Sequence, residues 1–535
     1  MSFLKEFFHQ EFKANGLDME NGAFLQALEL ALYTSKSIFL TGKAGTGKTT
    51  FLHTLRKLNV KKNMAVIAPT GVAAINAKGR TIHSFFKIDP RQLFLPEDPR
   101  LQAQAKGKKE SIYTTFRYTK SKLDIFRNLD LLVIDEISMV RVELLDVVDR
   151  ILRIFRKKMH IPFGGVQLVL IGDPFQLPPI VREQEWNLLS PYYKNRFFFS
   201  SRAFKELNPF HIELQKIYRQ KDAAFKELLN RIRESKHSES DLGFLNQTSA
   251  EYDFGLLDKG FILLGTHNHT IANINQRKLE LLEGRPRTYK ARIEDDFPVS
   301  MAPLDPIDLT LKAGAQVIFM RNSVEEGYYN GMIGKVIQME ENQIRVRSNE
   351  GDVYEVKRDI WENIEYEYNE KEEQVESKVI GKFIQFPLKL AWAITVHKSQ
   401  GLTFDKCILD IGRSFEAGQV YVALSRCTTL SGVILKSPIQ MHSVKVSNDS
   451  LEFSRQKTVL SEVEEELRLQ RAFSSLPHAF HAYRKGDLTL AQKIFEEVQQ
   501  VHDITGYAKW KQFLSMKNQL DKRAKQGKII SGNPW

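Results

Sequence analysis

Cysteine is almost missing from this chain. Of 535 residues only Cys407 and Cys427 carry a thiol, and neither has a CxxC neighbour, which leaves a disulfide framework and a zinc site without support. Both read as small buried hydrophobes, Cys407 in the run CILDI and Cys427 after an arginine in ALSRC. There is no run of about twenty apolar residues, the length a spanning helix needs. The first twenty residues, MSFLKEFFHQEFKANGLDME, lack the apolar core of a signal peptide, so the expected compartment is the cytosol of a bacterium, or the nucleus of a eukaryote. No N-K-x-D guanine reader and no full repeat array occur. Acidic residues are outnumbered: net charge is +12 and the pI about 9.3, which favours a polyanionic partner. A chain this long exceeds one core, so two or more domains are expected.

One short stretch carries defined chemistry. The apolar run Ile38-Phe39-Leu40 leads into Gly42, Lys43, Ala44, Gly45, Thr46, Gly47, Lys48, Thr49 and Thr50, which fits G-x-x-x-x-G-K-[ST] between a strand and a helix. Glycines let the backbone turn tightly, so several N–H groups converge on phosphate oxygens. Lys48 adds a charge near the β- and γ-phosphates, and Thr49 offers a hydroxyl to Mg²⁺. The pattern predicts a bound nucleoside triphosphate.

A triphosphate site also needs carboxylates. The run LLVI (131–134) is too continuous for an edge strand and suits a central parallel one. It ends in Asp135-Glu136, at the carboxyl end where open α/β sheets keep their ligands. Asp135 is suited to Mg²⁺ and Glu136 to activating water. The next buried run, VQLVLIG, ends in Asp173 and is followed by Gln176 and two prolines. A glutamine there can bond the γ-phosphate and report its loss. The runs GFILLG, FPLKLA and CILDI predict a second α/β sheet without a P-loop, near which stand Arg219 in LQKIYRQ and Arg426 in YVALSRCTTL. Arginines reaching from another domain can stabilise phosphoryl transfer and so tie hydrolysis to domain motion. A local salt bridge is the commoner fate of an arginine.

In chain order TGKAGTGKTTF, APTGVAAINAKGRTIHSFF, VIDEISMV, PFGGVQLVLIGDPFQLPP, LQKIYRQ, LAWAITVHKSQGLTF and YVALSRCT resemble superfamily-one DNA helicases of the petite integration frequency (PIF) family, over roughly Ile38 to Leu430. The linkage from Ser138 to Pro179 separates this pattern from that of RecD-type helicases. The resemblance implies an α/β fold of two RecA-like P-loop NTPase motor domains, each with a small insertion, plus a C-terminal α-helical extension. It implies ATP and Mg²⁺ between the motors, with Lys48, Glu136, Gln176, Arg219 and Arg426 as the catalytic set, Thr49 and Asp135 on the metal, and Gln26 as the nearest candidate for reading adenine. Single-stranded DNA and forked or structured duplex are the implied partners, with movement from 5′ to 3′.

Candidate nucleic-acid contacts are Pro69, Thr70, Gly71, His83, Ser84 and Phe85, then Asn268, His397, Lys398 and Gln400, through hydroxyls, backbone N–H groups and a stacking ring. Of Phe85 and Phe86 at least one is expected in the core. The expected boundaries are 1–86 with 123–205 for the first motor, 206–322 with 383–447 for the second, 87–122 for a wedge-like insertion, 323–382 for a small Src-homology-like barrel and 448–535 for the helices. In the wedge, Tyr113, Phe116 and Tyr118 alternate with lysines and arginine, a mixture suited to DNA as well as to a solvated loop. Asp352, Glu355 and Lys357 loosely echo a nuclease D…ExK pattern; a charged strand face is the plainer reading. AYRKGDLTLAQKIFEEV resembles one tetratricopeptide-type hairpin, a docking appendage or a cap on the motor, and 520–535 reads as a loose basic tail. Two other functions fit part of the pattern: a DNA translocase that parts no strands, and a nucleotide-gated nucleic-acid clamp.

Overall fold

The computed structural model describes residues 9–501 except 11, 104–109, 219–221, 250–252, 305, 324, 370, 373, 413, 415, 457, 459 and 486, together with residues 511 and 515. The chain divides into two compact units, 35–457 and 1–34 with 458–535.

In the larger unit, five short, mainly apolar runs and the dipeptide Arg80-Thr81 become the strands β1 (Ile38–Gly42), β2 (Met64–Ala68), β3 (Arg80–Thr81), β4 (Leu131–Ile134), β5 (Gln167–Ile171) and β6 (Phe210–Leu214). They form one sheet in the order β3-β2-β4-β5-β1-β6, parallel at every junction. Because helices cover both faces, β4 and β5 are buried along their whole length, as continuous apolar strands require. The order reverses beside β1, and the loops following β1, β4 and β5 converge at the carboxyl edge.

A second parallel sheet takes Ala393–Thr395, Ile262–Gly265, Cys407–Asp410 and Val433–Leu435 in that spatial order. Its core includes Ala44, Phe175 and Leu177 from the first motor. Apolar packing therefore joins the two motors at the phosphate loop. Cys407 and Cys427 are both buried and free, with sulfurs 2.9 Å apart.

The segment expected as one barrel is shared between two sheets. Strands Ile333–Met339, Gln343–Ser348 and Val353–Lys357 join Gln316–Phe319 and Leu388–Leu390. The long hairpin Asp359–Asn369 and Gln374–Gln385 pairs instead with Arg292–Asp295. That hairpin lies on the first motor: Tyr366 accepts the Val66 N–H at 2.9 Å, and Asn63 Oδ1 accepts the Val375 N–H at 2.6 Å. Glu355 pairs with Arg345, and Lys357 lies near Glu326. Among the described residues no cluster of three potential metal-binding side chains occurs; Glu355 and Lys357 stand on the strand Val353–Lys357, with Asp352 just before it.

The helical boundary also moves. Asn448–Ser454 belongs to the larger unit, because Phe453 stacks on Phe199 at 4.2 Å and packs against Phe39. In the smaller unit Gly22–Tyr33 packs with Leu460–Arg484, which forms an antiparallel hairpin with Leu488–Val501. An alanine seam of Ala472, Ala479, Ala482 and Ala491 lets the helices approach. Glu29 and Arg471 are almost fully buried and paired at 2.7 Å. The expected basic tail lies outside the described residues. Among the described residues no helix is long and apolar enough to cross a membrane.

Candidate nucleotide and nucleic-acid site

The phosphate loop leaves β1 and enters the helix Lys48–Leu58. Gly47 caps that helix in the left-handed region, at φ +92°, a conformation a side chain would strain. Lys48 Nζ folds back to donate to the Gly42 and Lys43 carbonyls at 2.6 and 3.1 Å. Thr46 is buried and donates to the Lys43 carbonyl, while Thr49 and Thr50 are exposed at the helix start. The loop is thus braced by its own hydroxyl and ammonium, with the helix N-terminus presented to an anion.

Asp135 and Glu136 follow β4. Glu136 sits at φ +51°, an uncommon conformation for a residue with a side chain and one concentrated at functional sites. Its N–H donates to Asp135 Oδ1. Burial, then the neighbouring Glu136, pushes Asp135 up to about 7. Burial raises Glu136 as well, opposed by Lys48 and Arg426. Arg426 of the second motor therefore acts electrostatically on the carboxylate expected to activate water. This pair fits a divalent cation: two carboxyls in low dielectric favour a dication that relieves their mutual charge, and Thr49 supplies an oxygen at the adjacent helix start.

The second motor reaches the loop directly. Tyr421 Oη accepts the Ala44 N–H at 3.1 Å and lies 3.4 Å from Asp173. Asp173 is fully buried and holds Arg233 at 3.0 Å. Gly418 fits where a Cβ would stand 2.7 Å from the carbonyl oxygens of Phe175 and Gln176. Gln176 is buried, and its Oε1 accepts from Gln400 Nε2 at 3.4 Å. Arg426 is 2% exposed and donates to the Val422 carbonyl, Ser425 Oγ and the Ser399 carbonyl. Arg219 lies outside the described residues.

Tyr218 is a residue the motif reading passed over. Its N–H donates to the Gly45 carbonyl at 2.9 Å, its ring lies about 4 Å from where a Gly47 Cβ would be, and it is 52% exposed. An exposed ring next to a phosphate loop is a platform for a base. Its position directly before Arg219 was the only signal in the sequence. Gln26 lies in the smaller unit, where its amide donates to Glu464 at 3.3 Å.

The candidate DNA contacts divide. A cavity of about 980 Å³ in the second motor is lined by Asn268, Thr395 and Lys398, among others. His397 is half-buried and 3.5 Å from Glu416. In the first motor Thr70 Oγ1 caps the helix Gly71–Asn76 by accepting from Ala73 N, and Gly71 packs against Ser300 and Met301, with Pro69 immediately before them half-buried. Ser84 accepts from Arg80, and burial lowers His83. Phe85 corrects the expectation: it is fully buried among Phe86, Phe126 and Tyr366, with Lys122 Nζ 3.7 Å over its ring. These rings and the Lys122 ammonium enclose it, so no base can stack there. Likewise Phe116 is buried, and Tyr118 is half-buried with its hydroxyl on the Phe86 carbonyl; of the three wedge aromatics Tyr113 alone is exposed.

Comparison with known proteins agrees with this architecture. Residues 20–242 match the family model described as PIF1-like helicase. The chain is 34% identical over 428 residues to human ATP-dependent DNA helicase PIF1, covering 78% of this chain and 60% of the human protein; it thus spans about three-fifths of that relative's length. The crystal structure of Bacteroides sp Pif1 in complex with ADP-AlF4 is 38% identical, with a TM-score of 0.74, covering 82% of this chain and 97% of that one. Bacteroides Pif1 bound to ssDNA, also 38% identical and with the same coverage, superposes with a TM-score of 0.55. Its two parallel-sheet motors, the composite phosphate site between them and these similarities place the chain in the PIF1-like helicase family.

Proposed function

We propose that this protein is an ATP-dependent DNA helicase that moves 5′ to 3′ on single-stranded DNA and opens duplex or structured DNA. The observation that carries the reading is the composite site: the phosphate loop of one motor meets Tyr421 and the influence of Arg426 from the other. A site built this way makes hydrolysis depend on how the motors sit, which is what a motor requires.

The triphosphate lies along the N–H groups of Gly45 to Thr49, with Lys48 exchanging its two carbonyl partners for phosphate oxygens. Tyr218 stacks on the base. Thr49 and Asp135 would hold Mg²⁺, which supplies charge neutralisation at the phosphates. Glu136 takes the proton of the attacking water; burial raises its proton affinity, which suits a base, and the charges of Lys48 and Arg426 oppose that rise. Gln176 and Arg426, with Arg219, meet the charge on the γ-phosphoryl oxygens. The strand follows Asn268, Lys398 and the His397–Gln400 turn across the second motor. In the first it meets the Pro69–Gly71 turn, with His83 and Ser84 beyond it. The human relative's name and the ssDNA-bound Bacteroides structure support this assignment.

The deciding experiment is unwinding of forks with one tail. Opening of a 5′-tailed fork and not a 3′-tailed one, with ATPase stimulated by single strands, is the expected result. Equal stimulation by duplex with no fork opened makes the protein a translocase. DNA binding tightened by ATP with negligible turnover makes it a clamp.

A further inference from the structure

Two groups expected at the γ-phosphate are tied to one and the same turn. The turn Thr395–Gly401 contains His397, Lys398 and Gln400. Gln400 Nε2 donates to Gln176 Oε1 at 3.4 Å, and the Ser399 carbonyl accepts from Arg426 Nη1 at 3.5 Å. Gln176 comes from the first motor and Arg426 from the second, so a single turn restrains both. The other side-chain contacts of Arg426, to Val422 and Ser425, lie on the helix Gln419–Leu424 and its cap just before it and keep the guanidinium folded inward.

The same turn lines the cavity in which Lys398 and Thr395 face Asn268. A polyanion entering that cavity draws on Lys398, two residues from Gln400. Both restraining bonds lie at the long end of hydrogen-bond geometry, so a competing partner displaces them at small cost. Within the turn Ser399 Oγ donates to the Val396 carbonyl and Lys398 N–H donates to Thr395 Oγ1, while its first half is anchored outside, by the Val396 N–H on the Gly265 carbonyl at 2.9 Å and by His397 3.5 Å from Glu416.

We propose that the His397–Gln400 turn is a DNA-released restraint on hydrolysis: without a strand Gln400 holds Gln176 and Ser399 holds Arg426 away from the phosphate, and a strand in the cavity moves the turn and frees both. Gln400 is thus a positioning residue for the ATP reaction as well as a neighbour of the strand. This rests on the helicase reading above and states how DNA stimulates the ATPase.

The test compares steady-state ATP turnover of the full chain, without DNA and with saturating oligothymidylate, for wild type, Gln400→Ala and Gln400→Met. The methionine keeps the side chain's length and removes the amide that bonds Gln176. Both variants should raise DNA-free turnover about two- to threefold, the low end of what one hydrogen bond contributes, with KM for ATP unchanged. Turnover at saturating DNA should not rise, so the stimulation ratio falls by the same factor. If DNA-free turnover is unchanged or lower in both variants while they melt at the wild-type temperature, and only the half-saturating DNA concentration shifts, Gln400 is a strand contact alone and the restraint is overturned. If wild type is not stimulated by DNA at all, a DNA-released restraint is overturned whatever the variants do; the helicase reading falls separately, on the fork assay above.

Discussion

At the scale of single residues the site is a contest over a few charges. Lys48 has its ammonium on two backbone carbonyls of the loop it serves. Lys48→Ala removes the one cation of the phosphate loop facing the β- and γ-phosphates, so ATP binding and turnover should both fall, turnover by at least about a hundredfold. Glu136→Gln keeps the volume and removes the base, so a fluorescent ATP analogue should still bind while turnover falls by about 10²–10⁴-fold. Tyr218 gives a separate, smaller effect. Tyr218→Ala should raise KM for ATP about tenfold, the scale of one base-aromatic stack, and Tyr218→Phe should leave it near wild type, because the ring and not the hydroxyl does the work. Lys48, Asp135 and Glu136 were legible in the sequence because the bonding of phosphate and metal demands those side chains at short spacing. Tyr218 was not, because what marks it is exposure next to a loop about 170 residues upstream in the chain.

At the scale of elements, periodicity and burial decided which aromatics serve the core. TIHSFF looked like a strand-facing segment, yet the short helix Ile82–Phe86 turns Phe85 inward. Lys122 lies over that ring, nearly fully buried, and burial pushes it down to about 7 from an ordinary 10.5. Below pH 7 folded and unfolded chains both carry the proton, and the cost of burying the ammonium is at its full size. Between about pH 7 and 10.5 the unfolded chain binds more protons than the folded one, so this group makes stability rise with pH across that window. Lys122→Met should raise the urea midpoint at pH 6 and flatten its climb from pH 7 to 9. A midpoint equally pH-dependent in the variant would show that Lys122 is charged and hydrated in the fold. The pair Glu29–Arg471 belongs to the same scale. Arg471→Ala leaves the Glu29 carboxylate buried without its partner, so the helical unit should lose about 3–5 kcal/mol, read as an early, separate loss of helix signal in thermal melts. The hairpin 359–385 could be anticipated as strands, but its seat on β2 through Tyr366 could not, since hydrogen bonding between segments 300 residues apart leaves no trace in local pattern.

At the scale of the whole molecule the net charge of +12 sets the terms of association. Affinity for single-stranded DNA should fall steeply with salt. For about five neutralised phosphates the loss between 50 and 200 mM is about a hundredfold, measurable by fluorescence anisotropy at several salt concentrations. A slope near zero would remove phosphate contact from the account. The two motors share a continuous core at Ala44, Phe175 and Leu177, and their polar contacts lie where the phosphate loop, Asp173 and Tyr421 meet. The helical boundary, by contrast, was misplaced by sequence reading. A change of composition near Asn448 suggested a new domain, but one side chain, Phe453, keeps its helix in the aromatic cluster of the first motor.

By itself the sequence determined the chemistry of the phosphate loop, the carboxylates after the central strand, the second sheet and the family, because backbone geometry and phosphate recognition are local requirements that a few adjacent residues satisfy. Tertiary structure alone decided that Phe85 belongs to the core and that the supposed barrel is shared by two sheets. It also brought Tyr421 to the phosphate loop and set Gln176 and Arg426 against one and the same turn. Each of these depends on which surfaces meet after distant segments pack, and packing is set by the complementarity of whole faces, which no single stretch of chain contains.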